Sequence, residues 1–168
     1  MTGLSICFPS GRYHATPWGR HVNEGAPEWP PSPWRLLRAL VATWKRKIDD
    51  RIGQPELELL LRTLSSPPQF VLPPANAAHS RHYMPWFKKG PDDKTLVFDT
   101  FVSLPPEAQI IVLWPDLTLP SKQREQLSLL LTHLNYLGKL AAVDSHQSTS
   151  GGLSHRQCFR GQWQDGGI

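Results

Sequence analysis

Proline is the residue that most limits what this chain can fold into. It occurs 17 times in 168 residues, and glycine adds 12 more. Because proline donates no backbone hydrogen bond and its ring collides with a helical backbone, it interrupts helices and the interior of sheets. We therefore expect regular elements joined by long connections, in a chain long enough to bury one core.

Apolar runs bounded by turn residues predict the strands of this core. The runs are 4–8, 69–72, 95–103, 108–114 and 140–143. Residues 104–107 form a short connection, so we expect strands 95–103 and 108–114 to pair as a hairpin.

Three helices are also expected. Ser32 is a typical N-cap and Pro33 suits the first helical position, so the first helix begins there. Five apolar residues share one face of that helix, opposite a basic face. The apolar residues are Leu36, Leu37, Leu40, Val41 and Trp44, and the basic ones are Arg35, Arg38, Lys45 and Arg46. The second helix is expected at 55–64, and the third begins with Ser121 as its cap and ends at Gly138.

The order strand, helix, strand, strand, helix, strand predicts an α+β fold of the ferredoxin-like (RRM-like) βαββαβ kind, with a long insertion. We expect its antiparallel sheet to carry helices on one face and to leave the other free. The predicted domain covers residues 1–146. Hydrophobic periodicity disappears in 147–168, so this tail is expected to be disordered or the start of an interrupted second module.

Composition excludes several classes of protein. The net charge of +4 suits a polyanionic partner. Cys7 and Cys158 are far apart, which argues against a disulfide framework and favours a cytoplasmic location. No apolar run has the roughly 20 residues that span a bilayer, so no membrane partner is expected. Motifs for zinc, nucleotide phosphate or a serine nucleophile are missing, and we expect no metal and no cofactor.

Cationic and aromatic residues alternate between Gly11 and Trp44. Arginines and histidines of this segment stand beside Tyr13, Trp18, Trp29 and Trp34, a combination typical of surfaces that bind single-stranded nucleic acid. The alternative is a loop, rich in tryptophan and proline, that covers the core. That interpretation suits Trp34 better than a stacking role, and for Trp29 the sequence does not decide between the two.

Residues 79–89 repeat this composition in a predicted loop, for which an ordinary solvated loop is the alternative. We interpret eleven cationic and aromatic residues of the two segments as RNA-binding. They are Arg12, Tyr13, His14, Arg20, His21, Trp34, Arg35, Arg38, His79, Arg81 and His82. RNA can also be cleaved without metal when a base deprotonates the 2′-hydroxyl, and His14 and His21 are weak catalytic candidates for that base.

The run GRYHATPWGRHVNEGAPEWPPSPWRLLRALVATW, residues 11–44, resembles the N-terminal signature of a CRISPR-associated family. This family is the fused handle-binding and processing subunit of the type I-G (formerly I-U) effector complex, within the RAMP superfamily. The pieces HYMPW at 82–86, TLVFDTFVSLP at 95–105 and LNYLGK at 134–139 are similar to it as well. The resemblance covers roughly residues 4–139.

This resemblance implies a ferredoxin-like RAMP domain that binds the repeat-derived 5′ handle of CRISPR RNA inside a Cascade-like assembly for antiviral defence. Its partners would be CRISPR RNA and other subunits of the effector. The residues facing RNA or a neighbouring subunit would be Arg12–His14, Arg20, His21, Trp34 and Arg35.

The chain is shorter than the family pattern, and its tail lacks the expected second RAMP module. The family's second half resembles metal-independent endoribonucleases that mature the precursor transcript, and no catalytic residue carries over from it. Two alternatives stay open. One is an active metal-independent endoribonuclease, and the other is a protein-interaction module without RNA affinity.

Overall fold

The computed structural model describes residues 1–20, 25–85, 94–138 and 159–160. It is a mixed α+β structure with two small antiparallel sheets. The strands are β1 (Thr2–Cys7), β2 (Arg12–Tyr13), β3 (Gln69–Val71), β4 (Asn76–Pro85), β5 (Lys94–Ser103), β6 (Gln109–Trp114) and β7 (Phe159–Arg160). The helices are α1 (Pro33–Thr43), α2 (Gln54–Thr63) and α3 (Ser121–His133), and a π-helical turn, Trp44–Ile48, continues α1.

The first sheet has the strand order β3-β6-β1-β7. Both β1 and β3 are antiparallel to β6, so these two strands run parallel to each other with β6 between them. In the same way β6 and β7 run parallel on either side of β1. Helices α1 and α2 lie in the connection from β1 to β3, and α3 lies in the connection from β6 to β7.

The core forms where this sheet meets the helices. Side chains alternate between the two faces of a strand, and Leu4 and Ile6 of β1 are buried together with Ile110 and Val112 of β6. The same cluster contains buried leucines from all three helices. They include Leu36, Leu40, Leu57, Leu60, Leu127, Leu130 and Leu131.

Helix α1 begins as the sequence predicts. The Ser32 side chain accepts a hydrogen bond from the backbone N–H of Arg35 at 3.3 Å, and Pro33 occupies the first turn. The predicted apolar face also points inward, except that Val41 is 39% exposed.

The second sheet, β2-β5-β4, is built largely from one long hairpin. Strands β4 and β5 pair without interruption from Asn76 opposite Ser103 to Pro85 opposite Lys94. In the chain this hairpin is inserted between β3 and β6, which are neighbours in the first sheet.

The predicted pairing of strands 95–103 and 108–114 is wrong. The first is β5, which pairs with β4 and β2, and the second is β6, which pairs with β1 and β3. The partner of β5 was missed because residues 76–84 are nearly all exposed on both faces, so β4 has no alternating apolar pattern.

Other boundaries differ as well. Helix α3 ends at His133, not at Gly138, because Leu134 already has an extended backbone. Pro120 occupies the cap position, and Ser121 is the first helical residue. In the tail predicted to be disordered, β7 pairs with β1, whereas the predicted strand 140–143 lies outside the described residues.

Two neighbouring positions of α1 test this packing. Leu40 is fully buried, so Leu40→Ala should lower the free energy of unfolding by about 2–5 kcal/mol. Val41 is 39% exposed, and Val41→Ala should change it by less than about 1 kcal/mol. Urea denaturation measures both changes, provided that the m-value stays the same. Equal losses of unfolding free energy in the two variants would contradict the orientation of α1.

Candidate nucleic-acid interface

A hydrogen-bonded network around Glu28 holds the start of α1. Oε1 of Glu28 accepts hydrogen bonds from Nε of Arg35 at 2.8 Å, the backbone N–H of Ser32 at 2.9 Å and the hydroxyl of Tyr13 at 3.1 Å. Nη2 of Arg35 donates to Oε2 of Glu28 at 3.1 Å and to the carbonyl oxygen of Thr16 at 2.8 Å. The network therefore joins β2, the loop after it and the first turn of α1.

The charges in this network are matched to one another. Burial by itself raises the pKa of Glu28, but hydrogen bonds from Arg35 and Ser32 outweigh it, and the pKa is lowered. The hydrogen bond to Glu28 raises the pKa of Arg35 in spite of burial. Burial, followed by the nearby Glu28 carboxylate, raises the pKa of Tyr13, so the phenol stays protonated and donates.

Two residues interpreted as RNA contacts belong to this network. Tyr13 is completely buried and packs against the rings of Phe8 and Trp29, with centroids 5.1 and 6.1 Å away, so its interpretation as a stacking residue is wrong. The guanidinium of Arg35 forms a bidentate ion pair with Glu28, and part of its side chain remains exposed. Arg35 therefore holds the start of α1 in place.

A groove runs along the outer face of α1. Its first part has a volume of about 250 Å³ and adjoins a second hollow of about 200 Å³, with which it shares Ala39, Ala42 and Tyr136. We call the two together the α1 groove. Its other lining residues are Trp18, Glu28, Ser32, Trp34, Arg35, Arg38, Thr43, Arg46, Lys47, His133, Leu134, Asn135 and Gly138.

Helical geometry explains one wall of the α1 groove. Trp34, Arg38, Ala42 and Arg46 follow at intervals of four residues and so share a stripe of the helix and its π-helical continuation. Trp34 is 60% exposed, and its assignment to the core is wrong. Trp34 precedes the buried Leu36 by two residues, which places it about 200° away around the helix axis, on the opposite side of α1.

The segment after α3 forms the opposite wall. The hydroxyl of Tyr136 accepts a hydrogen bond from Nη1 of Arg46 at 3.2 Å, and Nζ of Lys47 donates to the carbonyl oxygen of His133 at 2.9 Å. Gly138 has a φ of +114°, and a Cβ there would collide with the carbonyl oxygen of His14. Glycine is therefore needed for this segment to approach the chain after β2.

Cations and aromatic rings both line the groove. The Trp18 ring is 81% exposed, and the guanidinium of Arg38 lies 5.8 Å from its centroid. Arg46 and Lys47 add positive charge, while the charge of Glu28 is matched by Arg35. Such a surface can hold phosphates between cations and stack bases on the exposed rings.

Sequence reasoning found only part of this site. Trp34, Arg35 and Arg38 were predicted and do line the groove. Trp18, Arg46, Lys47 and Tyr136 were not assigned to it. The four-residue spacing from Trp34 could have indicated Arg46, whereas Tyr136 comes near it only through tertiary packing.

Other predicted residues lie on the second sheet. Arg12 is exposed and its guanidinium lies 4.8 Å from the centroid of Phe101. His14 follows β2, and its Nε2 is 3.0 Å from Oδ1 of Asp99, with 12% of its side chain exposed. Arg20 is exposed, and His21 lies outside the described residues.

The cluster predicted to be a loop is part of β4. The His79 ring stacks on Phe98 with centroids 4.7 Å apart, and the guanidinium of Arg81 lies 5.3 Å from the same ring. His82 points to the opposite face, because neighbouring residues of a strand alternate. These side chains are exposed and form a set separate from the residues that line the α1 groove.

Among the described residues, no group of three or more His, Cys, Asp or Glu side chains is placed to hold a metal ion. None of the helices in the described part of the chain is long and apolar enough to cross a lipid bilayer. Comparison of the chain with protein-family profiles, curated proteins and solved structures finds no match.

Two arginines of α1 separate a structural role from a surface role. Arg35→Met leaves the nearly buried Glu28 carboxylate without its partner and should cost roughly 2–3 kcal/mol of unfolding free energy. The matched variant Arg38→Met removes an exposed guanidinium and should cost less than about 0.5 kcal/mol. Urea denaturation at pH 7 measures both free energies. An Arg35→Met variant as stable as the wild type would refute the stabilising role of the network.

The lowered pKa of Glu28 predicts how its contribution to stability varies with pH. The pKa of Glu28 is lower in the folded state than in the unfolded state. Its contribution to stability is therefore complete above the pKa of the unfolded chain, about 4.3, and is lost as pH falls through the pKa of the folded state. The free-energy difference between the wild type and Glu28→Gln should therefore shrink on acidification below about pH 4.5. Urea titrations from pH 7 to pH 3 measure it.

Glu107→Gln removes an exposed carboxylate in a turn and serves as the control for net charge. A difference between the wild type and Glu28→Gln that grows as pH falls would contradict the assignment.

Proposed function

We propose that this chain binds single-stranded RNA in the α1 groove. One observation carries the proposal: Arg38, Arg46 and Lys47 share an open groove with the exposed rings of Trp18 and Trp34. Cations supply sequence-independent affinity for phosphates, and tryptophan faces supply stacking for any base.

The RNA we propose is the repeat-derived 5′ handle of CRISPR RNA, in a type I-G effector complex of antiviral defence. The support is the similarity of residues 11–44 and of the three later pieces to that family's subunit. Trp18, Trp34 and Arg38 come from the first run, and Tyr136 comes from the piece LNYLGK. Neighbouring effector subunits are the proposed protein partners.

The proposed fold is the ferredoxin-like RAMP domain. The supporting observation is that β1, β3, β6 and β7 form one antiparallel sheet in which helices connect strands separated by a third. In this proposal β3, and not β5, is the second strand of the βαββαβ unit. The hairpin β4–β5 is then an insertion between its second and third strands.

A second candidate function is metal-independent cleavage of the precursor RNA. The observation that favours it is the 3.0 Å contact between Nε2 of His14 and Asp99, since a carboxylate can orient an imidazole for proton transfer. Arg12 is exposed two residues away on the same face of β2 and its extension. Cleavage of repeat RNA in EDTA that is lost in His14→Ala would support this function.

RNA titrations test the groove. With labelled repeat RNA, Arg38→Ala and Arg46→Ala should each weaken binding and reduce the slope of log affinity against log salt by about 0.7, because each removes one phosphate contact. Trp34→Ala should weaken binding about 5- to 100-fold through lost stacking. Fluorescence anisotropy at several salt concentrations measures both effects.

Arg62→Ala is the matched control, because it removes an exposed arginine from α2 and should change neither quantity. An unrelated single strand of equal length tests recognition of the handle. Unchanged affinity and slope in Arg38→Ala and Arg46→Ala would refute the groove as the RNA site. No affinity for any RNA would favour a protein-interaction module.

A further inference from the structure

Strand β4 is a long, open edge of the second sheet. It has ten residues and pairs with β5 on one side, and no strand in the described part of the chain pairs with its other side. Its register with β5 is continuous over all ten residues, so no bulge turns this edge away. Such an edge offers alternating unpaired N–H and C=O groups to another strand.

The outer half of this hairpin also exposes large apolar side chains. Tyr83 is 69% exposed, Met84 is 50% exposed and Leu96 is 49% exposed. Tyr83 lies directly opposite Leu96, so both belong to the same face. Water-exposed apolar groups beside an open edge are what a further strand would cover.

The charge of β4 is of one sign. The strand carries Arg81 with two histidines, His79 and His82, and no acidic residue. The guanidinium of Arg81 and the ring of His79 rest on Phe98 of β5, the residue directly opposite Arg81. An added strand would meet the positive charge of Arg81 beside an apolar end.

We infer that the β4 edge binds an extended acidic segment of a partner protein as an additional strand of the second sheet. An acidic residue of that segment faces Arg81, and an apolar residue two positions away covers Tyr83 and Leu96. A second copy of this chain fits less well, since an antiparallel pair centred on Arg81 would place two guanidinium groups opposite each other. RNA fits less well because its phosphates only accept hydrogen bonds, whereas the edge both donates and accepts.

A peptide probe tests the inference on the whole chain. The Glu–Val peptide is a fluorescein-labelled ten-residue strand in which Glu and Val alternate at every second position, with Thr between them. It should bind, and the matched peptide with Lys in place of Glu should bind at least about tenfold more weakly. Arg81→Glu should lower the affinity for the Glu–Val peptide about tenfold, and Arg62→Glu on α2 should leave that affinity unchanged. Equal binding of the two peptides, or no effect of Arg81→Glu, would overturn the inference.

N-methylated peptides test strand pairing without altering the protein. Because the N–H groups of neighbouring residues in a strand point to opposite sides, methylation of either all Thr nitrogens or all Glu and Val nitrogens should abolish binding, and methylation of the other set should not. Equal affinities would exclude strand addition.

Other occupants of the edge give distinct results. Displacement of the Glu–Val peptide by oligouridylate in both the wild type and the Arg38→Ala variant would assign the edge to RNA. A dimer that the peptide dissociates would assign it to a second copy. Either result would overturn the inference, and neither depends on whether the α1 groove binds RNA.

Discussion

The ion pair between Glu28 and Arg35 is the interaction on which the arrangement of this molecule depends. The Glu28 carboxylate accepts hydrogen bonds from the backbone N–H of the N-cap residue Ser32 and from the Tyr13 hydroxyl, besides those from the guanidinium, so it fixes the start of α1 against β2. With that end held and Leu36 and Leu40 packed inward, the phase of the helix is set. Trp34 and Arg38 then have only the outer face to occupy, and there they line the α1 groove.

Two sets of exposed cationic and histidine residues lie in different places. Arg38, Arg46 and Lys47 line the α1 groove, whereas Arg12, His79, Arg81 and His82 belong to the second sheet. The division follows from the hairpin β4–β5, which leaves the first sheet between β3 and β6 and pairs with β2. In our proposals the groove takes RNA and the β4 edge takes a protein strand, so the two ligands need not compete.

Strands β1, β3 and β6 of the first sheet could be predicted because each is an apolar run with clear stop signals, whereas β7 lies in the tail that lacks such a pattern. The second sheet could not. Its long strand β4 buries little on either face, so it lacks the alternation that marks a half-buried strand. Without β4, the nearest partner along the chain for β5 was β6, and a short connection made that pairing attractive. In the structure β5 pairs instead with β4, the strand before it in the chain, and with the short strand β2. The backbone groups of β4 and β6 are equivalent as partners, so the sequence between β5 and β6 could not decide the pairing.

What the amino-acid sequence determined by itself is local: the N-cap at Ser32, the apolar face of α1, and a surplus of positive charge beside aromatic rings. It did not distinguish Arg35 from Arg38, which have the same side chain and lie one helical turn apart. Only the tertiary structure brings the Glu28 carboxylate and the Thr16 carbonyl to Arg35 while leaving Arg38 in the groove. The reason is geometric. The rotation of α1 about its axis and the path of the loop after β2 determine which groups lie near each arginine, and residue type alone does not.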